Sequence, residues 1–420
     1  MRIHIIALGT RGDVQPALAL ALRLKQAGHE IGFLAGANFE SWIKRYGIDF
    51  TPTIDIEETM RSPDGIKWVE KGTNPSEQFK YMRRLLNQYG DEIVDNITSM
   101  RHADLLLSGF VSDPFTQTIS EKYGVPHITT LLQPLHNTRS GASMLQPFLP
   151  RHYSPLNLVS GLFAYWYLWR LSSDAVNRNR VRLDLNPHTT RTFKRAMTPV
   201  HALCAYSEHV IPRPADYPDN IHSVGYWFLD EHTDWHPSPK LTAFLNAGPK
   251  PLYIGFGSMA IGNPQENLEM TLQALRASGQ RGVFLKGWSQ VDTSNLPDFI
   301  HVVDSVPHDW IFSRVAGVVH HGGAGTTAAG IRAGVPSMII PHMADQPFWG
   351  RRTFELGIGV KPINRPKLTV EGLSAGFREL GESETLRTNA RILGEKVRAE
   401  DGLGNAVRVV EQVMQKRSRA

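Results

Sequence analysis

"VVHHGGAGTTAAGIRAGVPSMIIPHMADQPFWGRR", residues 318–352, decides how this chain is read. The apolar, β-branched run that ends at His320 is short, as the end of a buried parallel strand is. Small, turn-forming residues follow, and then a short helix predicted to begin near Thr326. In such a strand–turn–helix the backbone N–H groups of Gly323, Gly325 and Thr326 can point outward with no side chains in the way, at the positive end of the helix. That arrangement suits a phosphate or a pyrophosphate.

The two histidines suggest a metal only weakly. Adjacent residues of a strand point to opposite faces, and no third ligand lies at a suitable spacing. One imidazole is expected to pack and the other to face the ligand side, where its N–H can meet a phosphate. Asp345 and Gln346 follow the strand-like "PSMIIPHM". They read either as an ordinary loop acid with a polar neighbour or as a donor–acceptor pair for vicinal sugar hydroxyls.

Outward from this stretch the grammar is βαβ. "RIHIIALG", "EIGFLAG", "ADLLLSG" and "PHITTLL" read as strands in the first half, with "VQPALALALRLKQAGH" and "PFTQTISEKYG" as helices between them. "PLYIGFGS", "RGVFLKG", "IHVVDS" and "AGVVHH" repeat the pattern in the second half. The fold class is α/β: two tandem, doubly wound, Rossmann-like domains facing each other across a cleft. The expected boundaries are 1–212 for the first domain, 213–243 for a proline- and aromatic-rich connection, 244–400 for the second domain, and 401–420 for a terminal helix able to return to the first. Ligands of such sheets lie beyond the carboxyl ends of the strands, where "GTRGDVQP", "GFGSMA" and the histidine–glycine turn all fall.

At 420 residues the chain exceeds one ordinary core. A net charge of +5 without a basic, aromatic-interleaved stripe argues against nucleic acid and is compatible with an anionic small ligand. Cys204 is the one cysteine, which excludes an intrachain disulfide and a cysteine metal cluster and points to a reducing, cytoplasmic compartment. "MRIHIIALGT" already reads as a first strand, so no secretory leader is expected ahead of it. The basic end "QKRSRA" reads as a solvated tail. Residues 153–169, "YSPLNLVSGLFAYWYLW", carry no charge but include Pro155, Asn157 and Gly161, and they fall short of the about 20 apolar residues of a spanning helix. They read as a core or lid helix, or as a surface for an oily acceptor or a peripheral membrane contact.

"GTRGDVQP" lacks the G-x-G-x-x-G spacing, and no acid ends the second strand, so a nicotinamide dehydrogenase is a poor fit. Asp13 stands in that turn, with Pro16 expected in the first turn of the next helix. It reads as a helix cap or as a general base.

"GTRGDVQP", together with "HHGGAGTTAAGIRAGVPSMIIPHMADQPFWGRR" and the following "GIGV", resembles the nucleotide-sugar-dependent glycosyltransferases of the GT-B fold, family 1. The nearest branch is that of the sterol 3-beta-glucosyltransferases and bacterial antibiotic glycosyltransferases. The resemblance implies that His321 meets the donor α-phosphate and that Gly323, Gly325 and Thr326 meet the pyrophosphate. It gives Asp345 and Gln346 the hexose hydroxyls with Trp349 close by, Asp13 the role of base, Ser258 a place near the diphosphate, and the Val306 backbone the uracil edge. Arg11 and Gly12 of the first turn join the donor side. Ser305 stands where plant relatives stack a tryptophan on uracil, so Trp288 is the candidate for stacking. Ala329 replaces a ribose-binding glutamate, and Ser108 replaces the aspartate that orients a plant histidine base. Asp113, Phe115, Gln133 and His136, with Phe163 and Trp166, are expected to line an acceptor pocket, with His136 the second candidate for base.

The expected reaction is inverting transfer of a hexose to a hydroxyl of a sterol, terpenoid, polyketide or lipid. Glucose from UDP-glucose is favoured as donor, and another UDP- or dTDP-sugar remains open. No cofactor and no metal are expected, and the oligomeric state is open. Two other functions fit the same scaffold: a nucleotide-sugar epimerase, which has little use for a long aromatic insert, and a non-catalytic nucleotide-sugar binder, which has no need of Asp13.

Overall fold

The computed structural model describes residues 1–70, 74–140, 153–230, 235–255, 264–286, 292–293 and 295–418. The chain divides into two compact units, residues 1–229 with 401–420, and residues 230–400.

In the first unit the described strands are β1 (Arg2–Ile6), β2 (Glu30–Gly36), β3 (Asp49–Thr53), β4 (Leu105–Gly109), β5 (His127–Leu131), β6 (His201–Cys204) and β7 (Ile221–Ser223). All pair in parallel, in the order β3-β2-β1-β4-β5-β6-β7. Alternation sorts the side chains of β1: Ile3 and Ile5 pack with Val14, Leu18 and Leu24 on one face, while Ile6 packs with Leu85, Val94 and Phe115 on the other. The terminal helix Gly402–Ser418 belongs to this unit, where Ala406 and Val410 enter the first of these cores and Asn405 Nδ2 donates to the Val224 carbonyl at 2.9 Å.

β3, β6 and β7 are additions to the strands read from the sequence. β7 falls inside the stretch expected to be a connection, because "IHS" is short enough to hide among prolines and polar residues. Pro16 also differs from expectation. The helix Arg11–Gln26 begins early enough to put it in the second turn, where its missing N–H leaves the Gly12 carbonyl without the usual helical donor.

In the second unit the described strands are β8 (Leu252–Gly255), β9 (Gly282–Leu285), β10 (Ile300–Val303), β11 (Gly317–His320) and β12 (Ser337–Ile339), again all parallel, in the order β10-β9-β8-β11-β12. Leu252 and Ile254 pack with Phe377 and Leu380 on one face, and Tyr253 packs with Ile311, Phe312 and Val318 on the other.

Candidate functional site

Each sheet reverses its winding once near its middle. The first does so between β1 and β4, where Ile6 pairs with Ser108, and the second between β8 and β11, where Gly255 pairs with His320. Such reversals open a crevice beyond the strand ends. The turns that carry Asp13 and His321 leave the strands beside those two crevices.

In the first unit Gly9 has φ +153°, and a Cβ there would lie 2.1 Å from Asp13 Oδ2, so only glycine lets the carboxylate fold back against its own turn. Thr10 is the N-cap, and its backbone N–H donates to Asp13 Oδ2 at 3.0 Å. Asp13 is therefore the third residue of the helix and the acidic half of a capping box, rather than the cap itself. Half-buried, it feels desolvation more than these hydrogen bonds, and its carboxyl is pushed up to about 6. A carboxylate that titrates near 6 is a better proton acceptor than an ordinary one. Arg11 and Gly12 are exposed; the Arg11 backbone N–H donates to Glu57 Oε1 at 3.2 Å, and its guanidinium lies 4.8 Å from the centre of the Trp42 ring.

Across the reversal, Asp113 is the first residue of the helix Asp113–Tyr123 and is 7% exposed. Its carboxylate accepts from Ser108 Oγ at 2.6 Å and from Thr129 Oγ1 at 2.8 Å, and it lies 3.1 Å from His127 Nε2. With its lone pairs so engaged, Asp113 fastens the end of β4 to His127 and Thr129 of β5. Phe115 likewise lies wholly inside the core. Both placements have one cause: the helix begins at Asp113 and turns these side chains back toward the sheet. Gln133 is half-buried, and so is His136, whose imidazole burial lowers to about 4 against the pull of the Asp113 charge. His136 Nε2 is buried without a hydrogen-bond partner among the described residues. Phe163 and Trp166 stand exposed on the outer face of the helix Pro155–Arg182.

In the second unit His320 is fully buried and its Nδ1 accepts from the Gly322 backbone N–H at 3.1 Å. Burial and the neighbouring His321 hold it neutral. The helix runs from Ala324 to Ala333 with Gly323 as N-cap, two residues earlier than the sequence suggested. The N–H groups of its first turn, at Ala324, Gly325 and Thr326, lack partners within the helix. A Cβ on Gly323 would come within 2.7 Å of His321 Nε2, so the glycine lets the imidazole lie over the helix end. Burial lowers the His321 pKa to about 4, and its Nδ1 is buried with no partner among the described residues. The ring is thus neutral, and one nitrogen lacks the hydrogen bond that buried polar atoms normally find.

Beyond β12, Gln346 is buried, and its Oε1 accepts from the backbone N–H groups of His342 at 2.7 Å and Met343 at 3.0 Å. Asp345 caps the helix Gln346–Glu355 and accepts from Trp349 Nε1 at 2.8 Å. Trp349 has no exposed surface, and its indole N–H holds the Asp345 carboxylate. Val306 is buried, while Ser305 beside it is exposed. Ser258 and Trp288 lie outside the described residues.

Three features escaped the sequence reading. His342 is buried, and its pKa is lowered to about 4 by burial and then by His321. Ala344 holds φ +52°, a conformation that nothing in "HMADQ" announces. The clamp of Thr10 on Asp13 was legible, since T-x-x-D before an apolar run is a capping signature.

Two parallel α/β sheets, each with a small-residue turn and a helix end beside its crevice, define the GT-B class of glycosyltransferase fold. Solved members superpose over nearly the whole chain: the calicheamicin glycosyltransferase CalG4 with TM-score 0.71 at 16% identity, covering 98% of both chains, and the glycosyltransferase VinC in complex with dTDP with TM-score 0.68 at 17% identity, covering 99% of this chain and 100% of that one. Residues 3–139 match the glycosyltransferase family 28 N-terminal domain, and residues 283–412 match the erythromycin biosynthesis protein CIII-like C-terminal domain. A sterol 3-beta-glucosyltransferase of Arabidopsis thaliana is 30% identical over 431 residues, covering 97% of this chain and 67% of its own length. One of Neosartorya fischeri is 34% identical over 427 residues, which is 98% of this chain; the chain spans only 29% of that relative. This protein belongs to the glycosyltransferase family that contains these sterol 3-beta-glucosyltransferases.

Proposed function

We propose that the chain transfers a hexose, with glucose from UDP-glucose the favoured donor, to a hydroxyl of an apolar acceptor of the sterol kind, with inversion at the anomeric carbon. The relatives named for sterol glucosylation support the acceptor class. The observation that carries the donor half is the neutral His321 imidazole, with a buried nitrogen that has no partner among the described residues, lying over the first turn of a helix.

The acceptor O–H gives its proton to the Asp13 carboxylate while its oxygen bonds to the anomeric carbon. The bond from that carbon to the diphosphate oxygen breaks on the opposite face, and the electron pair leaves with the nucleoside diphosphate. Charge growing on the departing diphosphate meets an imidazole N–H and the amides of Ala324, Gly325 and Thr326, all fixed before the reaction. Asp345, held by Trp349, accepts from hexose hydroxyls. No step uses a metal, so transfer survives chelation. Among the described residues no group of histidines, cysteines or acids is placed to hold an ion.

The test is incubation with UDP-glucose, and in parallel dTDP-glucose, with and without a sterol. The expected result is sterol-dependent release of UDP and a β-glucoside. An epimerised sugar without any acceptor, or binding without turnover on any acceptor, would reject the proposal.

A further inference from the structure

Half of the large hydrophobic side chains that stand exposed among the described residues fall between residues 153 and 166. Leu156, Val159, Phe163 and Trp166 are 72%, 63%, 66% and 44% exposed. Their spacing of three and four residues along the helix Pro155–Arg182 sets them in one stripe, with Tyr153 just ahead of it. The opposite face of the same helix packs Trp169 and Val176 into the core. The helix is therefore anchored on one side and greasy on the other, yet no described helix is long and apolar enough to cross a membrane.

Cations border the stripe. Arg170 follows Trp166 by one turn on the same face and is exposed. Phe193 of the helix Thr190–Met197 stacks on Trp169 with ring centres 4.2 Å apart, so that helix packs beside the one that carries the stripe, and its Arg191, Lys194 and Arg195 are exposed. At the other end the Arg139 guanidinium donates to the Tyr153 hydroxyl at 3.1 Å. Among the Lys and Arg of residues 153–200, Arg178, Arg180 and Arg182 pair with Asp91, Glu121 and Asp95, which leaves Arg170, Arg191, Lys194 and Arg195 to set the charge of this side. The segment itself contains seven Lys and Arg against two Asp. Of those two acids, Asp174 is bonded to Arg83, and Asp184 lies 3.6 Å from Lys122. Asp216, near Arg139, accepts from Thr138 Oγ1 and from the Arg139 backbone N–H.

We infer that this face docks the protein on an anionic lipid surface, with the Leu156–Trp166 stripe entering the headgroup boundary and Arg139, Arg170 and the Thr190–Met197 helix meeting lipid phosphates. Exposed aromatics and aliphatics edged by Lys and Arg are the composition of helices that lie in a membrane interface, and anionic lipid attracts basic segments within a Debye length. The inference stands apart from the sugar-transfer proposal, because its readout is binding and not turnover.

The test is co-sedimentation of the full chain with phosphatidylcholine vesicles, with and without phosphatidylserine. The chain is expected to bind the anionic vesicles preferentially, and to lose that preference at about 1 M salt, where the Debye length falls to about 3 Å. Leu156→Ser with Val159→Ser is expected to bind at least about tenfold more weakly, at an unchanged melting temperature because both sites are exposed. Arg191→Glu with Lys194→Glu is expected to abolish the preference for anionic vesicles while leaving residual binding to neutral ones. Equal binding to both vesicle types, no binding to either, or retained binding by the Leu156/Val159 variant would overturn the inference. So would a homodimer lost in that variant with vesicle binding intact, which would give the face to a second copy of the chain.

Discussion

The turn after β1 and the turn after β11 are built alike and titrate in opposite directions. Each follows a central parallel strand, passes through glycine and lays a titratable side chain against the first turn of a helix. Burial is the leading cause in both, yet it raises Asp13 to about 6 and lowers His321 to about 4. The first turn thereby acquires a carboxylate better able to take a proton. The second acquires an imidazole that stays neutral. One physical cause thus shifts two side chains in opposite directions, and the residue type decides which.

Breaking the first half of this comparison should have the largest effect. Asp13→Asn is expected to lower transfer by roughly 10²- to 10⁴-fold, the usual contribution of a positioned base. The same change should raise stability at pH 7. The folded carboxyl titrates above its ordinary value of 3.8, so its contribution to stability is complete below pH 4 and is lost as pH rises through 6. An uncharged amide removes that loss, by on the order of 1–3 kcal/mol. Thermal melts at pH 7 and pH 4 check this: the gain should vanish at the lower pH. In the unsubstituted protein the transfer rate should fall as pH drops through about 6, where Asp13 takes up its proton. For His321 the sign is reversed. Its burial as the neutral ring weakens the fold as pH falls from 6.5 toward 4.

A smaller effect is expected beyond β12, at the support of Asp345. Trp349→Phe removes the hydrogen bond to Asp345 from a fully buried site and should cost roughly 2–3 kcal/mol of stability. It should raise KM for the nucleotide sugar severalfold with less change in kcat, which steady-state kinetics would show. An unchanged KM would mean that Asp345 does not need the indole. The smallest effect belongs to Ala344, exposed and held at φ +52°. Ala344→Gly relieves that backbone and should raise stability by at most about 1 kcal/mol with transfer intact. A loss of activity instead would show that the strained alanine fixes the direction of Asp345.

Much of this was legible in the residues. The β-branched run before His320 and the glycines after it announce a strand, a turn and a helix end, and the turn after "RIHIIALG" announces the second crevice. The short strands β3, β6 and β7 were not legible. Runs such as "DFTPT" and "IHS" contain proline or polar residues and become strands because a long sheet already offers them an edge. The helix after His321 starts early because Gly323 serves as its cap, where small residues give no sharp sign of a boundary. Asp113 and Phe115 looked like pocket residues because they follow a strand end. Their burial depends on where the helix begins and on Ser108, Thr129 and His127, which come from two other positions in the sheet. The raised pKa of Asp13 was out of reach for the same reason: burial is a property of the packed chain and not of "GTRGD".

The central claim is that a half-buried, neutral imidazole and the amides of one helix end receive the diphosphate. Calorimetric titration of UDP into the unsubstituted protein and into His321→Ala at pH 7 tests it most directly. The account predicts binding weakened by at least about tenfold in the variant, the order expected when a charge-assisted hydrogen bond is lost. Equal affinity in the two proteins would contradict it.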